Sequence, residues 1–459
     1  MSIRRQTVGF RFNTSSGPII PLVIWFLWSL CLGNLFRKSQ VLNCPLDRGD
    51  CARTGKPYLG FAIVGLGASI APLDFAVNLA FPAITEAFAL STSDIRWVAV
   101  CYVVTYGSLT LFCGVLGDRL GHLRVFRLGL MISALAMAAC ALSPAYGWLL
   151  AGRVLQGIGV ALTLSCAPAL AMALLAYEQR TLALSAYGAI FAAAGLLAPL
   201  LGGISMLYWG WAGVYGFRVP IVLLALLCTP WLSSHLRVQK LMPPDASQPG
   251  SVHGLWGLMR RNADFAWINI ESVVVQFCSF TIALSLPYAL PAAGWSEIAS
   301  GAMLSLWALG VLAGSGFAPL LLRLMNLQTV GNLAQGLMAL GLALIGAVSM
   351  AHAWPLMALA LLLQGLGLGV FQLVYADKVV AKLSDSARGL SGSLTIVTRT
   401  IGIVAGALVW LWLMELLQNQ ALTQGASQPE AIWAGTIGLM PWAAGVAIVL
   451  AALSAWRRA

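Results

Sequence analysis

The sequence predicts an all-α membrane protein built from two six-helix halves, and three observations predict it. Of its 459 residues, 60% are hydrophobic and only 9% are charged, where an ordinary soluble chain carries roughly a quarter charged residues. The apolar residues gather into runs long enough to cross a bilayer as helix, which takes about 20 residues. Those runs come as six, a polar Pro-rich stretch, and six more.

The first series lies near 58–81, 96–117, 125–144, 148–173, 182–206 and 213–233. The second lies near 264–289, 298–322, 327–350, 354–376, 390–414 and 433–456. Between them, residues 234–263 contain "MPPDASQPGS", the longest polar stretch in the chain, which reads as a linker. The expected organisation is therefore an N-terminal extension over 1–57, a bundle over 58–233, the linker, and a bundle over 264–456. Two similar bundles joined through the middle are the hydropathy signature of a secondary transporter with internal pseudo-twofold symmetry. One apolar segment, 18–36, stands apart. Arg37 and Lys38 follow it with no small-residue cleavage site, which excludes a cleaved secretory signal. A thirteenth span, an interfacial helix and a misplaced chain start all stay open.

Charge orients the spans. The chain holds 26 Lys and Arg against 15 Asp and Glu, a balance that in a soluble protein would suggest nucleic acid. Here the basic residues collect in the loops of one face: 37–57, 118–127, 178–180, the linker, Arg323, 377–388 and the C-terminus. The opposite loops and span ends hold Arg96 and Arg218 beside Glu86, Asp94, Glu297, Glu415 and Glu430. By the positive-inside rule the basic face is cytoplasmic, in a cell inner (plasma) membrane, with the C-terminus inside and no nucleic-acid partner. The nine cysteines lie mostly inside apolar runs and read as small core residues. Cys44 and Cys51 share one loop, too few for a zinc site. The sequence calls for no metal and no cofactor. No G-x-x-x-x-G-K-[ST] stretch appears, so ATP drive within this chain is not expected.

One loop is anomalous in so apolar a chain. "GVLGDRLGHLRVFRLG", from Gly114 to Gly129, carries one carboxylate and three arginines. Its pattern Gly114-x-Leu116-x-Asp118-Arg119-x-Gly121-x-x-Arg124 resembles the signature loop of the major facilitator superfamily, between the second and third helices. Glycines let two helix ends approach closely. Asp118 can then accept bonds from a helix N-terminus, whose dipole favours an anion. The eleventh helix offers such an end near Ser384, Asp385 or Ser386. The resemblance implies a conformational latch made of Gly114, Asp118, Arg119, Gly121 and Arg124. The competing reading is a plain topology anchor.

Further motifs follow the same family. Leu149-x-x-x-Arg153-x-x-Gln156-Gly157-x-Gly159 resembles its fourth-helix motif, and "LDFAVNLAFP" (Leu73 to Pro82) the first-helix motif of drug:proton antiporters. "AGLLAPLLGG" resembles the antiporter motif of the fifth helix, keeping Pro199, Gly202 and Gly203. "GWAGVYGFRVPI" continues that pattern with Arg218 where the family usually has Asn, and "VTRTIGIVAGA" resembles an Arg-bearing segment of the 14-helix multidrug exporters. The resemblance covers about 58–456 and implies a major facilitator fold. The two extra helices of the 14-helix group are missing here, leaving 12 core helices.

Charges inside spans mark function, because placing one at the bilayer centre costs about 2.5–3.5 kcal/mol on insertion scales. Four are expected there: Asp74, Arg153, Glu271 and Arg399. Asp74 and Arg153 fall at matching depth in the outer half and are expected to pair, and Glu271 is expected opposite Arg399. Burial favours a neutral acid and a guanidinium favours the carboxylate, so a pair that separates can switch proton affinity. Asp74, Arg153 and Glu271 are thus the candidates for proton coupling, a static salt bridge being the alternative. Asn269, Gln276, Gln372 and Arg399, with Gln364, are candidates for a polar substrate cavity, unless they serve as interhelical bonds. Trp97, Trp148, Trp295 and Trp433 fall at span ends, as interfacial tryptophans do. Phe191, Trp307, Phe371 and Tyr375 lie deeper, as cavity wall or as core.

The function expected from these readings is secondary active transport. The first form is a proton-coupled antiporter exporting hydrophobic or amphipathic small molecules, multidrug efflux among them, working as a monomer with protons, substrate and lipid as partners. The alternative is a carrier for one metabolite or organic anion, with Arg399 or Arg218 supplying the charge. A transporter-like sensor is not excluded. An intramembrane hydrolase is: "GLSG" (Gly389 to Gly392) spells a serine-protease motif, but His122, His235, His253 and His352 fall in loops or at span ends. A serine nucleophile there would lack a buried base. No enzyme activity is expected.

Overall fold

The computed structural model describes residues 57–91, 94–174, 180–235, 260–348, 354–382 and 390–457. The apolar segment 18–36, the Cys44/Cys51 loop, most of the linker and the start of the eleventh helix lie outside the described residues. Within them the chain is helical, without strands.

The first span is broken into α1 (Pro57–Ala68), α2 (Ile70–Leu73), α3 (Ala76–Leu79) and α4 (Phe81–Ala87). Two prolines explain the breaks, since Pro72 and Pro82 each remove one N–H from the helical ladder. Asp74 and Phe75 form the joint between α2 and α3, where the Asp74 N–H turns to the carbonyl of Ala71 at 3.2 Å. Five helices complete the first half: α5 (Arg96–Leu120), α6 (His122–Ala141), α7 (Tyr146–Ala173), α8 (Arg180–Gly216) and α9 (Arg218–His235). The second half contains α10 (Ala263–Ala292), α11 (Glu297–Leu324), α12 (Leu327–Gly346), α13 (Trp354–Lys382), α14 (Leu390–Thr423) and α15 (Gln428–Trp456). Among the described residues, ten segments are long and apolar enough to span a membrane, counting α1–α3 as the run Leu59–Leu79. An eleventh is α5, bent by 50°. The shorter apolar stretch Arg218–Leu232 makes twelve.

Several of the expected spans prove longer, that over 390–414 reaching Thr423 among them, and two bear on the site. The span expected over 182–206 runs to Gly216, interrupted at Gly210 (φ 62). The span expected over 354–376 runs to Lys382, so Lys378 sits on a helix and is buried, not in a loop. Arg218, expected at an outer span end, begins α9 and is fully buried. Hydropathy ends a run at its first charge. A helix continues through that charge when a partner on another helix receives it.

Packing divides the apolar side chains into three main cores. One is shared by both halves and joins Phe81, Ile84, Val98 and Leu149 to Leu284, Leu304, Leu411 and Met440. A second draws almost entirely on the first half, around Phe61, Phe126, Val160 and Leu170. A third belongs to the second half, around Phe265, Val330, Val374 and Leu450. The apolar core that joins the halves lies toward the end opposite the basic loops, and the separate cores lie toward the basic end.

Backbone contact closes the joined end. At the crossing of α8 and α11, a Cβ added to Gly203 would run into the carbonyl of Glu297, and one added to Gly301 into that of Pro199. Only glycine lets two helices approach this closely. At Gly202 an added Cβ would lie 3.0 Å from that of Ala76 in α3. Pro199 and Gly203 of the antiporter motif thus sit where the first half meets the second, while Gly202 packs against α3 within the first half. The Thr85 and Tyr288 hydroxyls bond at 2.8 Å, and the Phe75 and Trp307 rings stack at 5.1 Å, across the same seam.

Candidate functional site

Asp74 stands at the joint of the broken first span, where the chain departs from regular helix and its carboxylate can face three neighbours. Arg153, on α7, grips it with both terminal nitrogens: Nη1 donates to Oδ1 at 2.7 Å and Nη2 to Oδ2 at 2.8 Å. Arg218, at the start of α9, donates from Nη1 to Oδ1 at 2.7 Å. Gln156, one helical turn beyond Arg153, donates to the same oxygen at 2.9 Å. The carboxylate therefore accepts four bonds, three on Oδ1 and one on Oδ2. It is the ionised form that this geometry holds.

The bases are themselves positioned. Arg153 Nε donates to the carbonyl of Val98 at 2.8 Å, and its guanidinium lies 4.2 Å from the ring centroid of Tyr102. Arg218 Nε donates to the Val214 carbonyl at 2.9 Å, and its guanidinium lies 5.4 Å from the ring of Tyr215. Among the described residues, Arg218 Nη2 and the Tyr215 hydroxyl are buried without a hydrogen-bond partner. One acid faces two guanidiniums here, leaving one positive charge in excess. The cluster is not a neutral pair, and burying charge without full compensation is costly.

Depth along the helices predicts the pairing of Asp74 with Arg153, and the structure shows it. That count assigns neither Arg218 nor Gln156 to the cluster. The available signal for Arg218 is its departure from the family's Asn within the continuation of the antiporter motif.

The second buried acid has a different partner from the one expected. Glu271 does not meet Arg399. Lys378 on α13 donates to its Oε2 at 3.1 Å, Ser454 on α15 to Oε1 at 2.6 Å, and Trp267 to Oε1 at 3.1 Å. The expected pairing fails because hydropathy puts Lys378 in a loop, which leaves Arg399 as the only base to consider. Replacing Glu271 by alanine removes the carboxylate from a lysine that is 7% exposed. Breaking such a pair costs about 3–5 kcal/mol, so a clear fall in the detergent-solubilised melting temperature is expected. A melting temperature like that of wild type would mean that the pair adds nothing to stability.

Beside this pair lies a cavity of ≈ 80 Å³ lined by Ser272, Gln276, Phe371, Gln372, Tyr375, Thr395 and Arg399. Three of the four expected cavity residues, Gln276, Gln372 and Arg399, line it. Asn269 does not. It is buried behind Tyr375, whose hydroxyl donates to Asn269 Oδ1 at 3.1 Å, while Asn269 Nδ2 donates to the Phe265 carbonyl at 2.7 Å. Gln364 likewise serves as an interhelical bond, accepting from Trp307 and donating to Ser279 at 3.0 Å.

The signature loop is a tight turn between α5 and α6. Gly121 has φ 93 there, which favours glycine. Gly114 meets no atom within 4 Å at an added Cβ, and Asp118, Arg119 and Arg124 are exposed. Asp118 faces His122 at 3.4 Å. Arg127 instead reaches α9, donating to the Thr229 hydroxyl at 2.9 Å and to its carbonyl at 2.8 Å. No described helix N-terminus receives Asp118. Asp118→Asn is accordingly expected to change stability by no more than about 0.5 kcal/mol, while slowing transport. Thermal melts and transport rates measured on one preparation check both; a large loss of stability would place Asp118 in the fold.

Residues 58–407 match the Major Facilitator Superfamily family profile. The chain belongs to that superfamily. Solved structures of similar fold include the nucleoside transporter NupG, with TM-score 0.68, 14% identity and coverage of 86% of this chain and 99% of that one. A bacterial homolog of the human lysosomal transporter Spinster, in an inward-facing and occupied conformation, superposes with TM-score 0.68 at 16% identity, covering 87% of this chain and 97% of that one. At these identities the likeness is of fold alone.

Among sequence relatives, the methylenomycin A resistance protein of Bacillus subtilis is 33% identical over 199 residues, 43% of this chain and 41% of the relative. The tetracenomycin C resistance and export protein of Streptomyces glaucescens is 27% identical over 241 residues, 50% of this chain and 45% of the relative. The riboflavin transporter RibZ of Clostridioides difficile is 25% identical over 169 residues, 37% of each. The chain thus spans less than half the length of each. This superfamily member is a multi-pass membrane protein.

Proposed function

We propose that this superfamily protein is a secondary active transporter that exchanges protons for hydrophobic or amphipathic small molecules, exporting them across the plasma membrane. The observation that carries the reading is the Asp74 carboxylate, held by Arg153, Arg218 and Gln156 at a break in the first span. Two bonded guanidiniums favour the carboxylate of Asp74, so it takes a proton more readily once one of them leaves. Arg153 and Arg218 sit on α7 and α9, so a shift of either helix against the broken span releases the carboxylate. Discontinuous helices are where secondary transporters place their ion sites. Resistance and export functions among the relatives support the export direction.

In this reading the halves 58–233 and 264–456 rock about the α8–α11 seam, and 234–263 tethers them on the cytoplasmic side. Gly114, Asp118, Arg119, Gly121 and Arg124 form the latch that closes that side. Glu271 is the second proton site, next to the cavity through Ser272 and Tyr375, and the unit works as a monomer. The test is acidification-driven efflux from proteoliposomes containing the purified full chain. Efflux of amphipathic compounds that collapses with the proton gradient is expected. Efflux that is indifferent to the gradient would sink the proton-coupled reading.

A second reading, a carrier of one organic anion, is favoured by a single observation: among the described residues the cavity carries a guanidinium and no carboxylate.

A further inference from the structure

We propose that the transported molecule carries an anionic group, a carboxylate on an aromatic or apolar body, and that Arg399 receives it. The proposal rests on the transport reading above and names the class of its substrate.

Four observations converge. First, Arg399 lies nine residues past the start of α14, about 14 Å along it at 1.5 Å per residue. That is far into a span, where a charge is costly unless it is used. Second, its side chain is exposed into the cavity and bonds to no carboxylate among the described residues. Third, the buried acids among the described residues, Asp74 and Glu271, are already bonded to bases, Arg153 and Arg218 in one case and Lys378 in the other. Among the described residues no carboxylate lines the cavity to receive a cationic cargo. Fourth, the rest of the lining suits such a body. Phe371 and Tyr375 stack with ring centroids 6.4 Å apart to form an apolar wall, and Gln276 and Gln372 add hydrogen-bond donors.

Arg399 suits this task chemically. A guanidinium meets a carboxylate through two parallel N–H bonds, which fixes orientation as well as charge. Its neighbour Thr400 also packs against Gly107 of α5, where an added Cβ would run into the threonine hydroxyl. A ligand seated on Arg399 therefore sits beside a contact between the two halves and is placed to bias their separation.

The test uses the purified full chain in nanodiscs and two probes of matched body and opposite charge, 2-naphthoate and 2-naphthylmethylammonium, with binding read by calorimetry. Naphthoate is expected to bind at least tenfold more tightly. Arg399→Gln should abolish that preference, and Arg399→Lys, which keeps the charge without the fork, should retain part of it. The wild-type comparison holds even if a variant folds poorly. Equal binding of the two probes, preference for the ammonium, binding of neither, or an unchanged preference in a folded Arg399→Gln variant would each overturn the proposal. Proton-gradient-driven efflux of the ammonium probe would leave the antiporter reading standing while removing the anionic one. Naphthoate binding with no gradient-driven efflux of either probe would do the reverse.

Discussion

Replacing Asp74 by asparagine is expected to abolish proton-driven transport, with substrate binding retained in part. Asparagine matches the carboxylate in size and hydrogen-bonding reach but cannot titrate. It also leaves the guanidiniums of Arg153 and Arg218, 2% and 0% exposed, facing a neutral amide. Removing one partner of a buried ion pair costs about 3–5 kcal/mol, so a lower melting temperature should accompany the loss of coupling. The double variant Asp74→Asn with Arg218→Gln separates the two effects. It discards one of the two uncompensated charges and should recover part of the stability, yet it should still fail to release protons on substrate addition. Substrate-induced proton release from detergent-solubilised protein is the direct measurement. If the double variant is folded and releases protons as wild type does, the carrier is another group, and Glu271 is next.

The second large effect is expected at the α8–α11 crossing. Gly203→Ala puts a methyl against the backbone carbonyl of Glu297, which has no side-chain freedom with which to yield. Overpacking of this kind costs about 1–3 kcal/mol, and here the strain is confined to the closed end. The populations should shift toward the state in which α8 and α11 separate, by roughly tenfold per 1.4 kcal/mol. A cysteine placed at Ser300, fully buried at this crossing, in a background lacking native cysteines, should become reactive to an impermeant thiol reagent from the side opposite the basic loops. Gly188→Ala, on the same helix but meeting nothing within 4 Å, should leave labelling unchanged. Unchanged labelling in Gly203→Ala as well would mean that the seam does not set the closed end.

Much of the site can be read along the chain, because the bilayer imposes a one-dimensional ruler. Counting residues from each span end gives Asp74 and Arg153 a common depth, and side chains at a common depth on adjacent helices can touch. The same ruler misleads for Glu271. Its true partner, Lys378, reads as a loop residue because a hydropathy window stops at charge, whereas α13 continues past it to Lys382. Arg218 escapes for a related reason: at a span end its charge looks solvated, while the fold turns it inward onto Asp74.

The class of the protein is written in local and periodic properties of the chain. Twelve apolar segments, the asymmetry of basic loops and the ordered glycines of the signature loop and antiporter motif do not depend on how the helices pack. Which charges meet and which stay free is a matter of packing alone. The fold joins two guanidiniums to one carboxylate, commits Glu271 to Lys378, turns Asn269 and Gln364 into interhelical bonds, and leaves Arg399 facing a cavity. Each outcome depends on the rotation of one helix about its axis relative to another. At about 100° per residue, that rotation is set by packing across the whole bundle, and no window along a single segment contains it.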